Sequence, residues 1–434
     1  MGQCCSKVTG QCCSTAKPPT LTSIFEVSAS DLSALEYGGP LLVRLLRANN
    51  VPELDLMSES DVFVRGELIG PDGTAVAGGT AKWPIKWDAS NPLWDSARLF
   101  GTKPPMSNST LRLHFFDHDD SNADDYIGTA SVKVSRLGGE NAETTLPIEL
   151  HHKIKPSKSG LPTVTLRREP SERYSGRRVI YLVRHGESVW NKAQDEKRID
   201  VMLSDVDHPL NATGRAQAET LLAALRKGGA QADELLDAEA VMCSPLTRAV
   251  QTCLIGLEPL LLRGAGVVHL NPNLREKRNA GGKDSSGKWV GAQLERGVHS
   301  ALDKLFADEP ARAATLKSVP FGLEHVQNKW WLGSKESVDL VKERIAELMY
   351  QVRFAEPRSQ VIVGHSHYFR ELFRHFAAPA CTLADAAGKV LPVAEMTGKK
   401  LSNAGVAKCV LDFDAHPDAP VVEVQLLFGT ELVS

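Results

Sequence analysis

The sequence predicts two domains of different class, an antiparallel all-β sandwich followed by an α/β three-layer sandwich. Three observations carry that prediction. The chain has 434 residues, more than a single hydrophobic core usually organises. From about residue 40 to 168, short apolar runs are broken by Gly, Pro, Asn and Asp with no long helical period. After about residue 177, strand-like runs alternate with segments of helical period.

Composition narrows the function classes. With 42% hydrophobic and 24% charged residues the chain reads as soluble and globular. A formal net charge of −3 gives no electrostatic basis for nucleic-acid binding. No stretch approaches the ~20 apolar residues that span a bilayer. The N-terminus lacks the apolar centre of a signal peptide.

Residues 1–26 are expected to form a tail outside both domains. In "MGQCCSKVTGQCCS", Gly2 follows the initiator and Ser6 completes the M-G-x-x-x-[ST] pattern of N-myristoylation. One myristoyl chain binds membrane with only ~10⁴ M⁻¹, so stable anchoring needs a second signal, which palmitoylation of Cys4 and Cys5 would supply. Lipidation at Gly2, Cys4 and Cys5 is therefore expected. A cysteine metal cluster and a tail without a role are the alternatives, and the first lacks histidines or CxxC spacing. The remaining cysteines, Cys243, Cys253, Cys381 and Cys409, sit in apolar contexts and read as buried thiols, not as a disulfide framework.

The sandwich is expected over residues 27–168, with "PLLVRLLRA", "DVFVRGEL", "TLRLHFFD", "IGTASVKV", "TTLPIEL" and "PTVTLRR" as its strands. Carboxylates gather at its turns. Asp55 and Asp61 lie in "VPELDLMSESDVFV", and Asp117, Asp119 and Asp125 in "DHDDSNADDYIG". Such clusters repel themselves when empty, and their hard oxygens suit calcium, which takes six to eight. Together with "SNPLWD", these segments resemble a C2 domain. The resemblance implies that the five aspartates are calcium ligands and that the domain docks on an anionic phospholipid membrane, the bound ions reversing the local field. Leu56 and Met57 would dip into the interface from a loop tip. Lys82 and Lys86 in "AKWPIKWD" read either as a basic patch facing lipid or as a solvated strand face.

"REPSERYSGRR" reads as a linker, placed at residues 169–176. "RVIYLVR" is then a buried strand, and "TGRAQAETLLAALRKGG" a helix stopped by Gly228 and Gly229. "AVMCS" and "QVIVGHS" are further strands. Between them Val338, Val341, Ile345, Leu348 and Val352 form one apolar stripe on a long helix. The alternation predicts a mainly parallel sheet covered on both faces.

In "YLVRHGESVWN" an apolar run ends abruptly in Arg184, His185, Gly186 and Glu187. "SPLTRAVQT", "NLRE" and "VIVGHSHYFREL" follow in order. These motifs resemble the histidine phosphatase superfamily, the phosphoglycerate mutase-like fold, over about residues 177–434. The resemblance implies that His185 is a nucleophile that forms a phosphohistidine. Arg184 and Arg248 would grip phosphate oxygens with planar guanidiniums, and His365 would add a donor. Glu276 in "NLREKRNAGG" would be the proton donor. Gly186 and Asn191 would lie against the substrate, His367 would line the entrance, and Asn403 receives no role. "REKRNAGGKDSSG" and "GHSHYFREL" depart from the mutase patterns "ERRYG" and "GHGNSLR", which favours hydrolysis, and the chemistry requires no metal. The resulting expectation is a calcium-responsive phosphomonoesterase at the cytoplasmic face of a membrane, acting on a phosphorylated lipid, small molecule or protein. An enzyme of the same superfamily acting on soluble metabolites and a non-catalytic calcium-dependent adaptor are the alternatives. Retention of both arginines, both histidines and Glu276 argues against the adaptor.

Overall fold

The computed structural model describes residues 40–54, 59–119, 123–170, 176–263, 266–278, 282–331 and 335–434. Gly2, Cys4 and Cys5, and Asp55 with Leu56 and Met57, lie outside the described residues.

The first region is all β: β1 (Leu41–Asn49), β2 (Val62–Ile69), β3 (Ala75–Lys86), β4 (Leu93–Phe100), β5 (Thr110–Asp117), β6 (Asp125–Lys133), β7 (Glu143–Pro147), β8 (Glu149–Leu150) and β9 (Thr163–Glu169). All pairings are antiparallel, in sheets ordered β4-β1-β9-β7 and β3-β2-β5-β6-β8. Period-two alternation sets the inner faces. In β5, Leu111, Leu113 and Phe115 are buried while the residues between them are half exposed. Trp83 and Trp94 fill the core, and each indole N–H keeps a backbone acceptor, Ser96 O at 2.9 Å and Pro84 O at 2.8 Å. Glu169, assigned above to the linker, instead extends β9. It pairs with Leu42 across the ladder, and its carboxylate accepts from Arg44 at 3.0 Å.

The second region is α/β. Its strands are β10 (Arg177–Arg184), β11 (Ala240–Cys243), β12 (Val268–Leu270), β13 (Phe321–Gly322), β14 (Ser359–Gly364), β15 (Ala377–Ala384), β16 (Val390–Leu391), β17 (Lys400–Leu401), β18 (Val406–Asp412), β19 (Val421–Leu427) and β20 (Leu432–Val433). Its helices are α1 (Val189–Asp195), α2 (Ile199–Ser204), α3 (Ala212–Lys227), α4 (Ala230–Leu236), α5 (Thr247–Gly256), α6 (Glu258–Leu261), α7 (Gly291–Leu305), α8 (Pro310–Lys317), α9 (Val338–Arg353), α10 (Ser366–Phe376) and α11 (Ala394–Gly398). The main sheet runs β13-β12-β11-β14-β10-β18-β19-β15-β16. Strands β10 to β14 pair in parallel, as expected, while β18 joins β10 and β19 antiparallel.

Alternate residues of β10 feed two cores, which makes the region three-layered. Tyr181 and Val183 pack with Leu221, Leu225, Val250 and Leu254 of α3 and α5. Ile180 and Leu182 pack with Ile345, Leu348, Phe369 and Leu372 of α9 and α10. Gly228 and Gly229 end α3 at φ of 75° and 106°, values that glycine reaches without strain. The α9 stripe is buried from Val341 onward, but Val338 is 51% exposed because the first turn projects past the sheet. Cys243, Cys253, Cys381 and Cys409 are buried free thiols. No helix among the described residues is long and apolar enough to cross a membrane.

The two regions belong to one compact unit, and α9 is the element they share. Its outer side carries Glu343 and Glu347 toward the sandwich. Arg98 of β4 forms a buried ion pair with Glu347, and its guanidinium lies 4.0 Å from the Tyr350 ring centroid. Lys82 donates to Glu343 at 2.8 Å, and Arg44 to the Phe354 carbonyl at 2.7 Å. Lys86 lines a cavity of about 230 Å³ together with His325, Arg275 and Arg344. Lys86 of "AKWPIKWD" therefore faces the α/β region, which corrects both sequence readings of it, while Lys82 stays on a partly solvated face with its side chain 43% exposed. Pro84, Ile85 and Lys86, the last residues of β3, line that cavity at the junction.

Candidate active site

Parallel register brings the site together. Arg184 aligns with Gly364, and Cys243 with Val363, so His185, His365 and Ser244 leave adjacent strand ends at one level. The strands reach this edge as apolar runs because helices cover both faces. Polar residues appear only where the sheet stops, at the carboxyl edge where such sheets bind ligands.

His185 is 3% exposed and fixed on every side. Its N–H donates to Gly364 O at 3.0 Å, and its carbonyl accepts from Asn403 Nδ2 at 3.1 Å. Asn403, given no role from sequence, thus holds the histidine's backbone. The ring Nδ1 lies 2.6 Å from Gly186 O. A carbonyl only accepts, so Nδ1 carries the proton and Nε2 keeps its lone pair. Arg248 Nε lies 3.4 Å from that Nε2. The His365 ring sits 5.0 Å away, centroid to centroid, with Nε2 2.8 Å from Ser244 Oγ and a buried Nδ1 that has no hydrogen-bond partner among the described residues. Burial, with Arg248 and Arg184 beside it, holds the His185 pKa well below the ordinary value. Burial, Arg248 and His185 do the same to His365. Both rings are neutral at physiological pH.

The arginines are anchored by carbonyls. Arg184 Nη1 donates to Leu401 O at 2.6 Å, and its Nε is buried without a partner. Burial lowers its pKa to about 10, which leaves it charged. Arg248, in the first turn of the wholly buried α5, donates to Asp284 O at 2.7 Å. Asp207 accepts from the Thr247 N–H at 2.8 Å and from Thr247 Oγ1 at 2.6 Å, which fixes the start of that helix. Burial raises the Asp207 pKa to about 6.

Glu276 follows a 3₁₀ turn, Pro272–Leu274, and caps α10. Its carboxylate accepts from the N–H of Lys277 at 2.8 Å, Tyr368 at 3.0 Å and His367 at 3.4 Å. Arg344 of α9 pins this segment by donating to Asn273 O at 2.8 Å and Arg275 O at 2.9 Å. Glu336 holds both Arg344 and Arg275 at 2.8 Å. Burial pushes the Glu336 carboxyl up, but the two arginines outweigh it and hold it at about 2.

Arg184, His185, Asn191, Arg248 and Glu276 line one cavity of about 360 Å³, together with Lys277, Asp284, His367 and Lys400 and with Trp190, Ile199, Met202 and Leu203. His365 is fully buried just behind His185. Asn191 also completes a capping box, exchanging hydrogen bonds of 3.1 Å with Ser188. The Gly186 N–H goes to Thr252 Oγ1 at 2.9 Å, and a Cβ there would meet the Gly214 carbonyl oxygen at 2.6 Å. This close approach to the first turn of α3 by itself demands glycine. Asp207, Ser244 and Asp284 escaped the sequence reading. For Ser244 the usable signal was its place directly after an apolar strand.

At the sandwich, the ladder sets Asp117 opposite both Val62 and Asp125, so Asp61, Asp117 and Asp125 share one end and Asp119 occupies the adjoining loop. Asp117 Oδ1 accepts from Asp61 N at 2.6 Å, and Asp61 Oδ1 from Asp88 N at 2.8 Å. Among the described residues, no group of three or more His, Cys, Asp or Glu is placed to hold a metal ion. The donor set is nonetheless all carboxylate oxygen, which is calcium's chemistry, and its fifth member, Asp55, lies outside the described residues.

Residues 39–148 match the family model of the C2 domain, and residues 180–286 that of the histidine phosphatase superfamily (branch 1). Over 131 residues the chain is 30% identical to Synaptotagmin-3 of Arabidopsis thaliana, covering 30% of this chain and 23% of that protein. The chain thus spans less than a quarter of that relative's length. Among solved structures, a C2 domain of plant extended synaptotagmin 1 is 22% identical, covering 30% of this chain and 95% of that one, at a TM-score of 0.26. An Escherichia coli protein described as a candidate α-ribazole-5'-P phosphatase is 16% identical, covering 59% and 96%, at a TM-score of 0.32. Two folds in tandem, matched in the same order by two family models, make this a chain in which a C2 domain precedes a histidine phosphatase superfamily domain.

Proposed function

We propose that this chain is a phosphomonoesterase working through a phosphohistidine on His185, with its C2 domain bringing it to anionic membranes when calcium binds. The observation that carries the enzymatic reading is the state of His185: Nδ1 gives its proton to Gly186 O, and the Nε2 lone pair faces a cavity walled by Arg184 and Arg248. An entering phosphoryl group takes the place of the Arg248 contact. Nε2 attacks phosphorus, the ester P–O bond breaks, and the leaving oxygen takes the proton of the Glu276 carboxyl. Water then attacks phosphorus and gives a proton to the Glu276 carboxylate. The P–N bond breaks, phosphate departs and Nε2 regains its lone pair. Arg184, Arg248 and the unpartnered Nδ1 of His365 supply fixed charge and hydrogen bonding around the phosphoryl oxygens. Asn191 lies at the cavity wall to bind the substrate.

Rapid quench in alkaline detergent after mixing with ³²P-labelled phosphoester should trap a base-stable, acid-labile label on His185. Normal hydrolysis with no label at that residue overturns the mechanism.

The membrane reading rests on the acidic end of the sandwich. Asp55, Asp61, Asp117, Asp119 and Asp125 would hold calcium, and lipid chains on Gly2, Cys4 and Cys5 would add a lasting anchor at the cytoplasmic face. Calcium should raise the melting temperature and drive sedimentation with phosphatidylserine vesicles. Asp117→Asn should weaken both responses about tenfold or more in calcium affinity, because it removes one ligand charge. If calcium changes neither property in the wild type, the C2 domain is no calcium sensor.

A further inference from the structure

The helix α2, Ile199–Ser204, has a composition that folding does not explain. Four of its six residues, Ile199, Val201, Met202 and Leu203, are apolar, yet none is buried. Ile199 is 65% exposed and Leu203 51%. Single exposed apolar residues are ordinary, but a contiguous set marks a binding surface. The helix is also held in place. Lys283 Nζ donates to Leu203 O at 3.0 Å, Ser204 Oγ to Val201 O at 2.7 Å, and His208 Nε2 lies 3.2 Å from Val201 O.

What these residues face identifies their occupant. Ile199, Met202 and Leu203, with Trp190 of α1, line the same cavity as Arg184, His185 and Arg248. At about 360 Å³ the cavity falls in the range of about 300–1,000 Å³ that holds a small organic ligand, so it has room for more than a phosphate. Its lining also carries Lys400 and Lys277, the latter paired with Glu371 at 3.0 Å. Its two carboxylates are engaged, Glu276 by backbone N–H groups and Asp284 by Arg248. One end suits a dianion, and the side beside it suits hydrocarbon.

Resting on the phosphatase reading above, we propose that the substrate is an amphiphilic phosphomonoester: its phosphate meets His185, and an apolar leaving group lies along Trp190, Ile199, Met202 and Leu203. This wall selects the part of the substrate that departs. A polar leaving group, such as a sugar or glycerate, finds few partners there.

The test is a series of methyl, butyl and octyl phosphate below micellar concentrations, with phosphatidic acid in vesicles as a separate arm. For the wild type, kcat/KM should rise at least about tenfold from methyl to octyl phosphate, given the area each methylene can bury. In Ile199→Ser/Leu203→Ser the octyl-to-methyl ratio should fall toward one. Val390→Ser, at a residue 76% exposed and outside the cavity, should keep the wild-type ratio. Turnover of phosphatidic acid as well as octyl phosphate makes the source a membrane lipid, and turnover of octyl phosphate alone makes it a soluble amphiphile. A flat series in the wild type, or an undiminished ratio in the double variant, overturns the proposal while leaving the phosphatase reading intact. Calorimetric binding of methyl and octyl phosphonate reads the same wall without catalysis. If no ester is hydrolysed but octyl phosphonate binds at least tenfold more tightly, the apolar wall stands and the phosphatase reading fails. Equal binding of the two phosphonates sinks the wall.

Discussion

His185→Ala is expected to lower kcat on p-nitrophenyl phosphate by about 10⁴-fold, because it removes the atom that forms the covalent intermediate. The residual rate would come from Arg184 and Arg248 orienting phosphate toward water. Circular dichroism checks that the variant is folded, and a loss under tenfold would show that some other group attacks. Acid makes a second, separable prediction from the same residue. The reactive form is the neutral imidazole, and burial with two neighbouring arginines holds its pKa well below 6.5. The limb of kcat that reports His185 should therefore lie below pH 6.5. Stability behaves otherwise. Between pH 6.5 and the depressed folded values, the unfolded chain binds protons at His185, His365 and His325 that the folded chain refuses. Each such site removes up to about 1.4 kcal/mol per pH unit on acidification. Asp207 opposes them, since its folded pKa of about 6 lets the native state bind a proton first as pH falls from 6 toward 3.8. His208, His299 and His367 are depressed in the same direction, so six histidine losses against the Asp207 gain leave net destabilisation, and the melting temperature should drop between pH 6.5 and 5. A kcat limb at pH 6.5 would contradict the buried neutral ring.

The legible parts of this protein are those where local sequence carries the physics. The run from Val179 to Val183 could only be a strand covered on both faces, and its sudden change to Arg184 and His185 could only mark where covering stops. Arg248, Glu276 and His365 came from motifs at other element ends, and parallel register brings them to the same edge. What stayed hidden depends on which face of an element meets a distant one. Lys86 lies beside a tryptophan and reads as an outward face, but that face meets α9. Arg98 in "SARLF" shows no local sign of its partner, which lies 249 residues away. Gly186 illustrates a different gap. A glycine beside a catalytic residue suggested ligand contact, while the space it vacates is filled by Gly214, whose own Cβ would meet Glu187 O at 2.1 Å. Two glycines that let the Gly186–Glu187 backbone and the first turn of α3 touch leave no local trace in either segment. The apolar residues of α2 were equally silent, since six residues are too few to show a period.

Arg98→Ala is expected to destabilise the protein by about 3–5 kcal/mol, the cost of leaving a buried charge without its partner. Arg98 and Glu347 are 3% and 1% exposed, the pair runs through Glu347 Oε2, and Oε1 has no hydrogen-bond partner among the described residues. The guanidinium also donates to Lys82 O and Ala97 O at 2.9 Å and lies between the Trp83 and Tyr350 rings, so no other cation can take its place. The double variant Arg98→Met/Glu347→Leu removes both charges and keeps their volume, and it should recover most of the loss. Urea unfolding followed by tryptophan fluorescence gives both numbers, and a single-variant effect below about 1 kcal/mol would mean that water reaches the pair. The effect should extend to catalysis. Arg344 lies one helical turn before Glu347 on α9, and it is Arg344 that fixes Asn273 and Arg275 and so the position of Glu276. Loosening α9 from the C2 domain therefore loosens the proposed proton donor. Arg98→Ala should lower kcat several-fold on a substrate whose leaving group needs a proton, such as an alkyl phosphate. It should act less on p-nitrophenyl phosphate, whose leaving group needs none. Equal losses on both substrates would mean that the domain interface supports the fold without reaching the active site.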